Sequence, residues 1–276
     1  MKHIVITAGG TSEAIDGVRR IGNTSTGSLA ACIYEALSEH LAAHKSGAFT
    51  VHYVVSETAA RPEIKENLPV TFYPVTDVKS VEAVLEQLLT GYKADYVIHA
   101  MAVSDFTKGY LAGREALAEE LSETLEEALS RDRGGMSGEK LRALVRGVLE
   151  RPACRLDGPS KVRSAEDLML SLVRTPKLIE KIKQWSPGSF LVGFKLLKGV
   201  DEEALVRVAA GLSEKSGCDL VLANDMDRIG ADRHEGLLLK GRRVVGSYGT
   251  KKEIAAGIAG HMLGGSDAGG ETGGGQ

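Results

Sequence analysis

The chain has 276 residues, of which 43% are apolar and 26% charged, and its formal net charge is -3 at pH 7. This length and balance are ordinary for a globular protein and allow one large domain or two small ones. The slightly acidic balance supplies no general basic field, so nucleic acid is not an expected partner. No apolar run approaches the roughly 20 residues that a membrane-spanning helix needs, so we expect no membrane partner.

Three widely spaced cysteines are present, at Cys32, Cys154 and Cys218. Their odd number, and a start that runs from Met1 directly into an apolar strand without a signal-peptide pattern, predict free thiols in a cytoplasmic protein. At Cys32 and Cys218 we expect small buried hydrophobic residues rather than catalytic thiols.

The N-terminal stretch combines a short strand, a polar loop that contains glycines, and the start of a helix. Residues 3–8 have the apolar, β-branched pattern of a buried strand, and residues 28–44 have apolar side chains at helical spacing. The loop between them carries Gly9 and Gly10 and ends in Asn23-Thr24-Ser25-Thr26-Gly27. In α/β proteins this order builds a phosphate cradle from backbone N–H groups and the helix dipole. The stretch therefore predicts a nucleotide or a phosphorylated ligand.

Strands and helices then alternate along the chain. We predict strands over 50–55, 70–75, 94–101, 190–197 and 218–223, and helices over 77–89, 178–185 and 201–216. Thr175-Pro176 is predicted to begin the helix before residue 190, with Thr175 as its N-cap. Residues 235–248 predict a C-terminal β-hairpin, and a capping box at Thr250 and Glu253 predicts a last helix. The alternation indicates a Rossmann-like, doubly wound, mostly parallel α/β sheet.

The middle of the chain departs from this alternation. Residues 113–149 are rich in Leu, Ala, Glu and Arg at helical spacing and predict a helical hairpin, which we interpret as an insertion over about 111–158. Its acidic first half is either a solvated face or an arm that binds a partner. Residues 151–164 predict a loop or flap. Residues 1–263 are interpreted as a single domain, and the Gly-rich residues 264–276 as a disordered tail.

Polar residues follow four predicted strands, where an α/β sheet binds its ligands. These positions are 10–27, Ser104-Asp105, Phe194-Lys195 and Asn224-Asp225. Asp105 could hold Mg²⁺ or a ligand group, or it could cap a helix. Phe194 could stack on a base or belong to the core. Asn224 could read a base or ribose edge, or occupy a turn.

Two other patterns are interpreted as chance. His40 and His44 are spaced like zinc ligands, but a solvated helix face explains them better. Tyr248 and Lys252 match the spacing of an oxidoreductase pair, although that chemistry needs both side chains on one helix. Because Gly9-Gly10 also lacks the dinucleotide fingerprint, an NAD(P)-dependent oxidoreductase is a weaker alternative. A non-catalytic nucleotide-binding protein is a further alternative.

A set of motifs resembles one enzyme family. The motifs are ITAGGTSEAIDGVRRIGNTSTG, HAMAVSDF, TPKLIEKIKQW, VGFKLL and LVLAND, and they resemble phosphopantothenoylcysteine synthetase (phosphopantothenate-cysteine ligase) in its stand-alone form. The resemblance covers most of the chain to about residue 263, apart from the Glu-rich hairpin. It implies ligation of 4'-phosphopantothenate to L-cysteine in coenzyme A biosynthesis, through an acyl-nucleotide intermediate. It also implies Mg²⁺, a nucleoside triphosphate and a homodimer.

The same resemblance implies roles for individual residues. Asn23 is implied to contact phosphopantothenate and the acyl-nucleotide, and Arg19 to reach the substrate phosphate of the neighbouring subunit. Ala102 and Asp105 are implied to line the substrate site. The predicted nucleotide-binding residues are Gly10, Ser25 and Gly27 at the triphosphate, and Phe194, Lys195 and Asn224 at the sheet edge.

The family's catalytic lysine lies on a flap before the Thr175-Pro176 helix, and Lys161 is its best match. Lys108 and Arg163 are the other candidates for that position. Leu196-Leu197 replace a region where the bacterial two-domain form carries a glutamate, so CTP and ATP both stay open as the nucleotide. We favour CTP.

Overall fold

The computed structural model describes residues 1–44, 47–132, 135–156, 167–230 and 232–264. The described chain forms two compact units. The first contains Met1–Thr11, Gly22–Val103 and the described residues from Lys177 onward; the second contains Ser12–Ile21 and the described part of Ser104–Pro176. The interpretation of residues 1–263 as one domain stays a prediction, and the tail beyond residue 264 lies outside the described residues.

Strands and helices are numbered in chain order. They are β1 (Lys2–Ala8), β2 (Ser12–Ala14), β3 (Arg20–Gly22), α1 (Ser28–Ala43), β4 (Phe49–Ser56), β5 (Val70–Val75), α2 (Val78–Tyr92), β6 (Tyr96–His99), β7 (Phe106–Gly113), α3 (Arg114–Arg131), α4 (Gly138–Glu150), β8 (Leu168–Arg174), α5 (Leu178–Trp185), β9 (Phe190–Leu197), α6 (Glu202–Ser216), β10 (Leu220–Asp225), β11 (Gly236–Lys240), β12 (Arg243–Tyr248) and α7 (Lys251–Leu263).

The first unit is built on an eight-stranded sheet with the order β12-β11-β10-β9-β6-β1-β4-β5. The pairs from β5 to β10 are parallel, whereas β11 and β12 pair antiparallel as a hairpin. Helices α1 and α7 cover one core face, and α2, α5 and α6 cover the other. Both faces of the central parallel strands are therefore buried, as their continuous apolar runs require, whereas the edge strand β5 is partly exposed. The predicted doubly wound, mostly parallel sheet and its C-terminal hairpin are confirmed.

Helix starts follow the side chains that cap them. Asp77 and Thr250 form the capping boxes of α2 and α7, and Asp201 accepts the N–H of Ala204 at the start of α6. The cap predicted at Thr175 is wrong, because the N-cap of α5 is Lys177. Thr175 is instead held in the second unit, where its N–H donates to the Asp105 carbonyl and its hydroxyl donates to the Ser104 carbonyl.

The second unit contains an antiparallel ribbon of β7 and β8, a small ribbon of β2 and β3, and the helical hairpin of α3 and α4. The hairpin helices were predicted, and the four strands were not. The pairing of β7 with β8 is interrupted between Lys108 and Leu111, and Met169, Leu172 and Val173 on β8 are exposed. An interrupted ladder with exposed apolar side chains leaves no clean period-two pattern in the sequence.

The chain segments before and after the α3–α4 hairpin are joined by hydrogen bonds. Leu156 N–H donates to the Leu111 carbonyl at 2.7 Å. The Glu120 carboxylate accepts the N–H groups of Ala153 and Cys154 at 2.8 and 2.9 Å, and these bonds lower the pKa of Glu120. The segment after α4 is thus fixed to α3 and to the end of β7.

The cysteines in the described chain are free thiols, as predicted. Burial raises the pKa of Cys218 to about 12, and burial with the nearby Glu35 charge raises the pKa of Cys32. A thiol that stays protonated at neutral pH is a poor nucleophile, so both fit a packing role. None of the helices among the described residues has the length and apolar content needed to cross a bilayer.

We expect alanine at Gly257 to destabilise the first unit. The Tyr248 ring lies against this helical glycine, and an added Cβ would stand 2.1 Å from Tyr248 Oη and 2.3 Å from Cζ. Overpacking of this kind costs about 1–3 kcal/mol of unfolding free energy, which urea denaturation would measure. Gly260 in the same helix faces open space and is the control, since alanine there should stabilise slightly. Equal unfolding free energies for the two variants would contradict the contact.

Candidate functional site

The central strands of the first unit place two loops at one sheet edge. Strand β1 pairs with β4 on one side and with β6 on the other. The connection that leaves β1 contains α1 on one face, whereas the connection that enters β6 contains α2 on the other face. The strand order therefore reverses between β1 and β6, and α/β proteins bind ligands outside the carboxyl ends of strands at such a point.

Hydrogen bonds join the loop after β1 to the loop after β6. Thr11 N–H donates to the Ala102 carbonyl at 3.1 Å, and Ala102 N–H donates to the Gly9 carbonyl at 2.8 Å. Asn23 is drawn to the same place, because its side-chain amide donates to the Ala102 carbonyl at 3.2 Å and its N–H donates to the Thr11 carbonyl at 3.0 Å. Three predicted site residues, Gly10, Asn23 and Ala102, are thus brought together.

Glycine is required where the two backbones approach. A Cβ added at Gly10 would lie 2.2 Å from the carbonyl oxygen of Asn23. The Gly10 N–H donates to Oγ of the buried Ser56, at the end of β4. Sequence reasoning missed Ser56, although a polar residue that closes a buried strand at the binding edge is a usable signal. Ser56 also lies under Gly9, whose φ of +92° favours glycine.

The start of α1 lies against the same loop. Its N-cap, Gly27, has a φ of 69° and no side chain, and the Ser28 N–H makes a long bond of 3.4 Å to Thr26 Oγ1. A Cβ at Gly27 would stand 3.2 Å from the Gly9 nitrogen, so the helix start adjoins the glycines after β1. Ala60 N–H fixes the neighbouring Thr26 carbonyl at 2.8 Å. Half-buried Ser25 lies in this turn, and the arrangement suits an anion.

Two predicted substrate residues, Arg19 and Asp105, belong to the second unit. The Arg19 guanidinium pairs with Asp16 through Nη2 at 2.6 Å and Nε at 3.0 Å. The Asp16 side chain is 1% exposed and that of Arg19 is 43% exposed. Asp16 also accepts the N–H groups of Val18 and Arg19, so it holds the arginine turn in one shape. Asp105 is exposed and precedes β7 rather than a helix, so the helix-cap alternative is wrong.

The candidates for the flap lysine fall in different parts of the chain. Lys161 and Arg163 lie outside the described residues, and their roles stay predictions. Lys108 lies on β7, where its ammonium donates to the Ile15 carbonyl at 2.7 Å. Lys108 is therefore engaged within the second unit.

The remaining predicted residues lie at the carboxyl ends of β9 and β10. Phe194 is half-buried and packs on the core face that α1 and α7 cover, and half-buried Lys195 pairs with Ala223 on β10. Asn224 is buried within β10, and its amide donates to the Glu235 carbonyl at 2.9 Å. Asn224 is thus a strand residue rather than a turn residue. Their strands, β9 and β10, are the first and second strands beyond β6 in the sheet.

The structure gives no functional role to the two patterns that were interpreted as chance, the His40–His44 pair and the Tyr248–Lys252 pair. His40 and His44 stack at 4.1 Å, and the described ranges contain no group of three or more His, Cys, Asp and Glu side chains suited to a metal ion. Burial raises the pKa of Tyr248, which is the opposite of what a tyrosine needs in order to donate a proton near neutral pH. The oxidoreductase alternative therefore loses the one pair that suggested it.

The sequence profile of one family matches residues 1–125 and 154–264, and the family is described as the DNA/pantothenate metabolism flavoprotein C-terminal domain. The unmatched residues 126–153 fall in the α3–α4 hairpin. A curated relative, the coenzyme A biosynthesis bifunctional protein CoaBC of Thermococcus kodakarensis, is 30% identical over 259 residues, which cover 92% of this chain and 49% of the relative. The chain thus spans about half the length of the curated relatives it matches.

Solved structures agree with the profile. The DNA/pantothenate metabolism flavoprotein from Streptococcus pneumoniae is 31% identical, with a TM-score of 0.71 over 96% of this chain and 99% of that one. A Cab2 variant in complex with phosphopantothenate-cysteine is 15% identical, with a TM-score of 0.54 over 95% and 88% of the two chains, and shows a shared fold. The resemblance drawn from the motifs is confirmed at the level of the family. This chain belongs to the family of the DNA/pantothenate metabolism flavoprotein C-terminal domain.

Proposed function

We propose that this chain joins 4'-phosphopantothenate to L-cysteine in coenzyme A biosynthesis and uses a nucleoside triphosphate to activate the carboxylate. The meeting of Gly10, Asn23 and Ala102 beside the glycine-capped start of α1 carries the proposal. Family membership supports it, and so does the name of the CoaBC relative. The Cab2 variant that shares the fold binds phosphopantothenate-cysteine.

In the first step, an oxygen of the substrate carboxylate attacks the α-phosphorus, a P–O bond forms, and pyrophosphate leaves with the electrons of the bond that breaks. Two anions meet in this step, so the site must offer positive charge and N–H donors. The first turn of α1 and the backbone after β1 supply such donors. Gly10, Ser25 and Gly27 are assigned to the triphosphate because Ser25 and Gly27 form the turn before α1 and Gly10 lies in the adjoining loop after β1.

In the second step, the cysteine amine attacks the acyl carbon, the nucleoside monophosphate leaves, and the amine gives up a proton. Asn23 is assigned to the reacting carboxylate and the acyl-nucleotide, since its amide is held at the Ala102 carbonyl. Ala102 and Asp105 are assigned to the substrate, and Phe194, Lys195 and Asn224 to the nucleotide. CTP is favoured, and ATP is the alternative.

Three further parts complete the proposal. Arg19 binds the substrate phosphate of a neighbouring subunit, so the enzyme is a homodimer, and Lys161 provides a cation at the departing pyrophosphate. Mg²⁺, when bound, would supply positive charge at the triphosphate. Asp105 would be its carboxylate ligand, since carboxylate oxygens suit Mg²⁺.

Pyrophosphate release tests the proposal. The protein is mixed with Mg²⁺, CTP or ATP, and 4'-phosphopantothenate, and pyrophosphate is followed over time. We expect release that requires phosphopantothenate, and the monophosphate and the cysteine amide should appear after L-cysteine is added. Absence of release with both nucleotides would defeat the ligase assignment and leave the non-catalytic nucleotide-binding alternative.

A further inference from the structure

Lys251 is the first residue of α7, and a capping box fixes its position. Thr250 Oγ1 accepts the Glu253 N–H, and the Glu253 carboxylate accepts the N–H groups of Thr250 and Gly249 at 3.1 and 2.8 Å. These bonds set the backbone at the residue before Lys251. The lysine side chain therefore leaves the helix from a well-defined point.

That side chain reaches the start of α1. Its ammonium nitrogen lies 2.8 Å from Oγ of Ser28, the first residue of α1. Ser28 Oγ in turn lies 2.9 Å from Oγ1 of Thr26, within the turn that Gly27 closes. Lys251 is thus joined through two hydroxyl groups to the turn already assigned to the triphosphate. The lysine is half-buried, and all of these residues belong to the first unit.

The positive sources around this position favour an anion. Each helix N-terminus carries about half a positive charge, and Lys251 lies at the N-termini of both α1 and α7. The described helix α1 has no acidic residue in its first turn, and the Glu253 carboxylate is bonded to the backbone. Burial, and then the charge of Lys251, lower the pKa of His234.

An anion is attracted to all three positive sources, the two helix N-termini and the Lys251 ammonium. We propose that Lys251 is a nucleotide-binding residue that donates to a phosphate oxygen of the triphosphate at the start of α1. An ammonium group has three donors, so one remains on Ser28 while the others bind phosphate. This assignment rests on the proposed function and adds a cation to the site from the far end of the chain.

The test compares Lys251→Gln with Lys252→Gln, which removes the same charge from the next residue of the same helix. Lys252 is exposed. The Michaelis constants for the nucleotide, phosphopantothenate and cysteine are measured for both variants, together with thermal unfolding and direct binding of CTP and ATP. We expect Lys251→Gln to raise the nucleotide constant at least about tenfold, in line with one lost charge-assisted hydrogen bond, and to leave the other two constants unchanged. Lys251→Arg should recover part of the loss.

Each other outcome has a defined meaning. Equal nucleotide constants for the two glutamine variants would overturn the assignment. A rise in all three constants with a lower unfolding temperature would also overturn it, because that result describes a purely structural contact between α7 and α1. A wild-type protein that binds neither CTP nor ATP would instead overturn the proposed function.

Discussion

Replacement of Gly10 by alanine is expected to lower the rate of the proposed ligation about 100-fold or more while the sheet stays folded. The added Cβ would stand 2.2 Å from the Asn23 carbonyl oxygen, and both atoms are fixed by the backbone. One backbone must move by about 1 Å, which would break the bonds from Asn23 to Thr11 and Ala102. A displacement of that size at a reacting centre costs about two orders of magnitude in rate.

Steady-state turnover, followed by pyrophosphate release, measures the Gly10→Ala effect, and circular dichroism checks the fold. Gly91 in α2 is the control, because a Cβ there meets open space and alanine favours a helix. Gly91→Ala should keep wild-type turnover. Near-wild-type turnover in Gly10→Ala would show that the close approach of the two loops is dispensable.

Acid is expected to destabilise the first unit through His99. Burial lowers the pKa of this histidine from 6.5 to about 4, so the folded protein holds it neutral while the unfolded chain protonates it. The folded pKa lies below the unfolded one, so the stabilisation is complete above pH 6.5 and is lost as the pH falls toward 4. A shift of this size corresponds to about 3 kcal/mol of unfolding free energy.

Urea denaturation of wild type and His99→Asn at pH 7 and pH 4 isolates this contribution. Thr7 Oγ1 lies 3.1 Å from His99 Nδ1, and the asparagine carbonyl can take the place of that nitrogen. The variant should lose about 3 kcal/mol less than wild type on acidification. Exposed His261 provides the matched control, since asparagine there removes a histidine without altering the core. Identical pH dependence in wild type and His99→Asn would contradict a neutral buried imidazole.

The sequence predicted those parts of the fold that local chemistry determines. Continuous apolar runs predicted the buried parallel strands, and the capping box at Thr250 and Glu253 marked the start of the last helix. Thr175 misled because a Thr-Pro pair satisfies the local rule for a helix start, whereas tertiary hydrogen bonds to residues 104 and 105 decide its conformation.

The candidate site was predicted only in part for the same reason. Gly10 and Asn23 could be named from their motifs, but their approach across 13 residues of chain is a tertiary contact. Ser56 and Lys251 contribute through bonds to segments 46 and 223 residues away, so their bonding partners could not be predicted from the local sequence. The strands β7 and β8 were missed because their exposed apolar residues show no burial period.

The hydrogen bonds that close the α3–α4 hairpin explain how members of this family can differ in the length of the hairpin without a change in the rest of the fold. Because Leu111 and Leu156 are bonded to each other, the chain between them is a closed excursion whose ends stay in place. The cost of closing a loop grows only with the logarithm of its length, so the part beyond Glu120 can be lengthened or shortened cheaply. The family profile does not match residues 126–153, which lie within the closed segment and beyond Glu120. The β7–β8 ribbon can therefore keep its geometry while the hairpin it carries diverges.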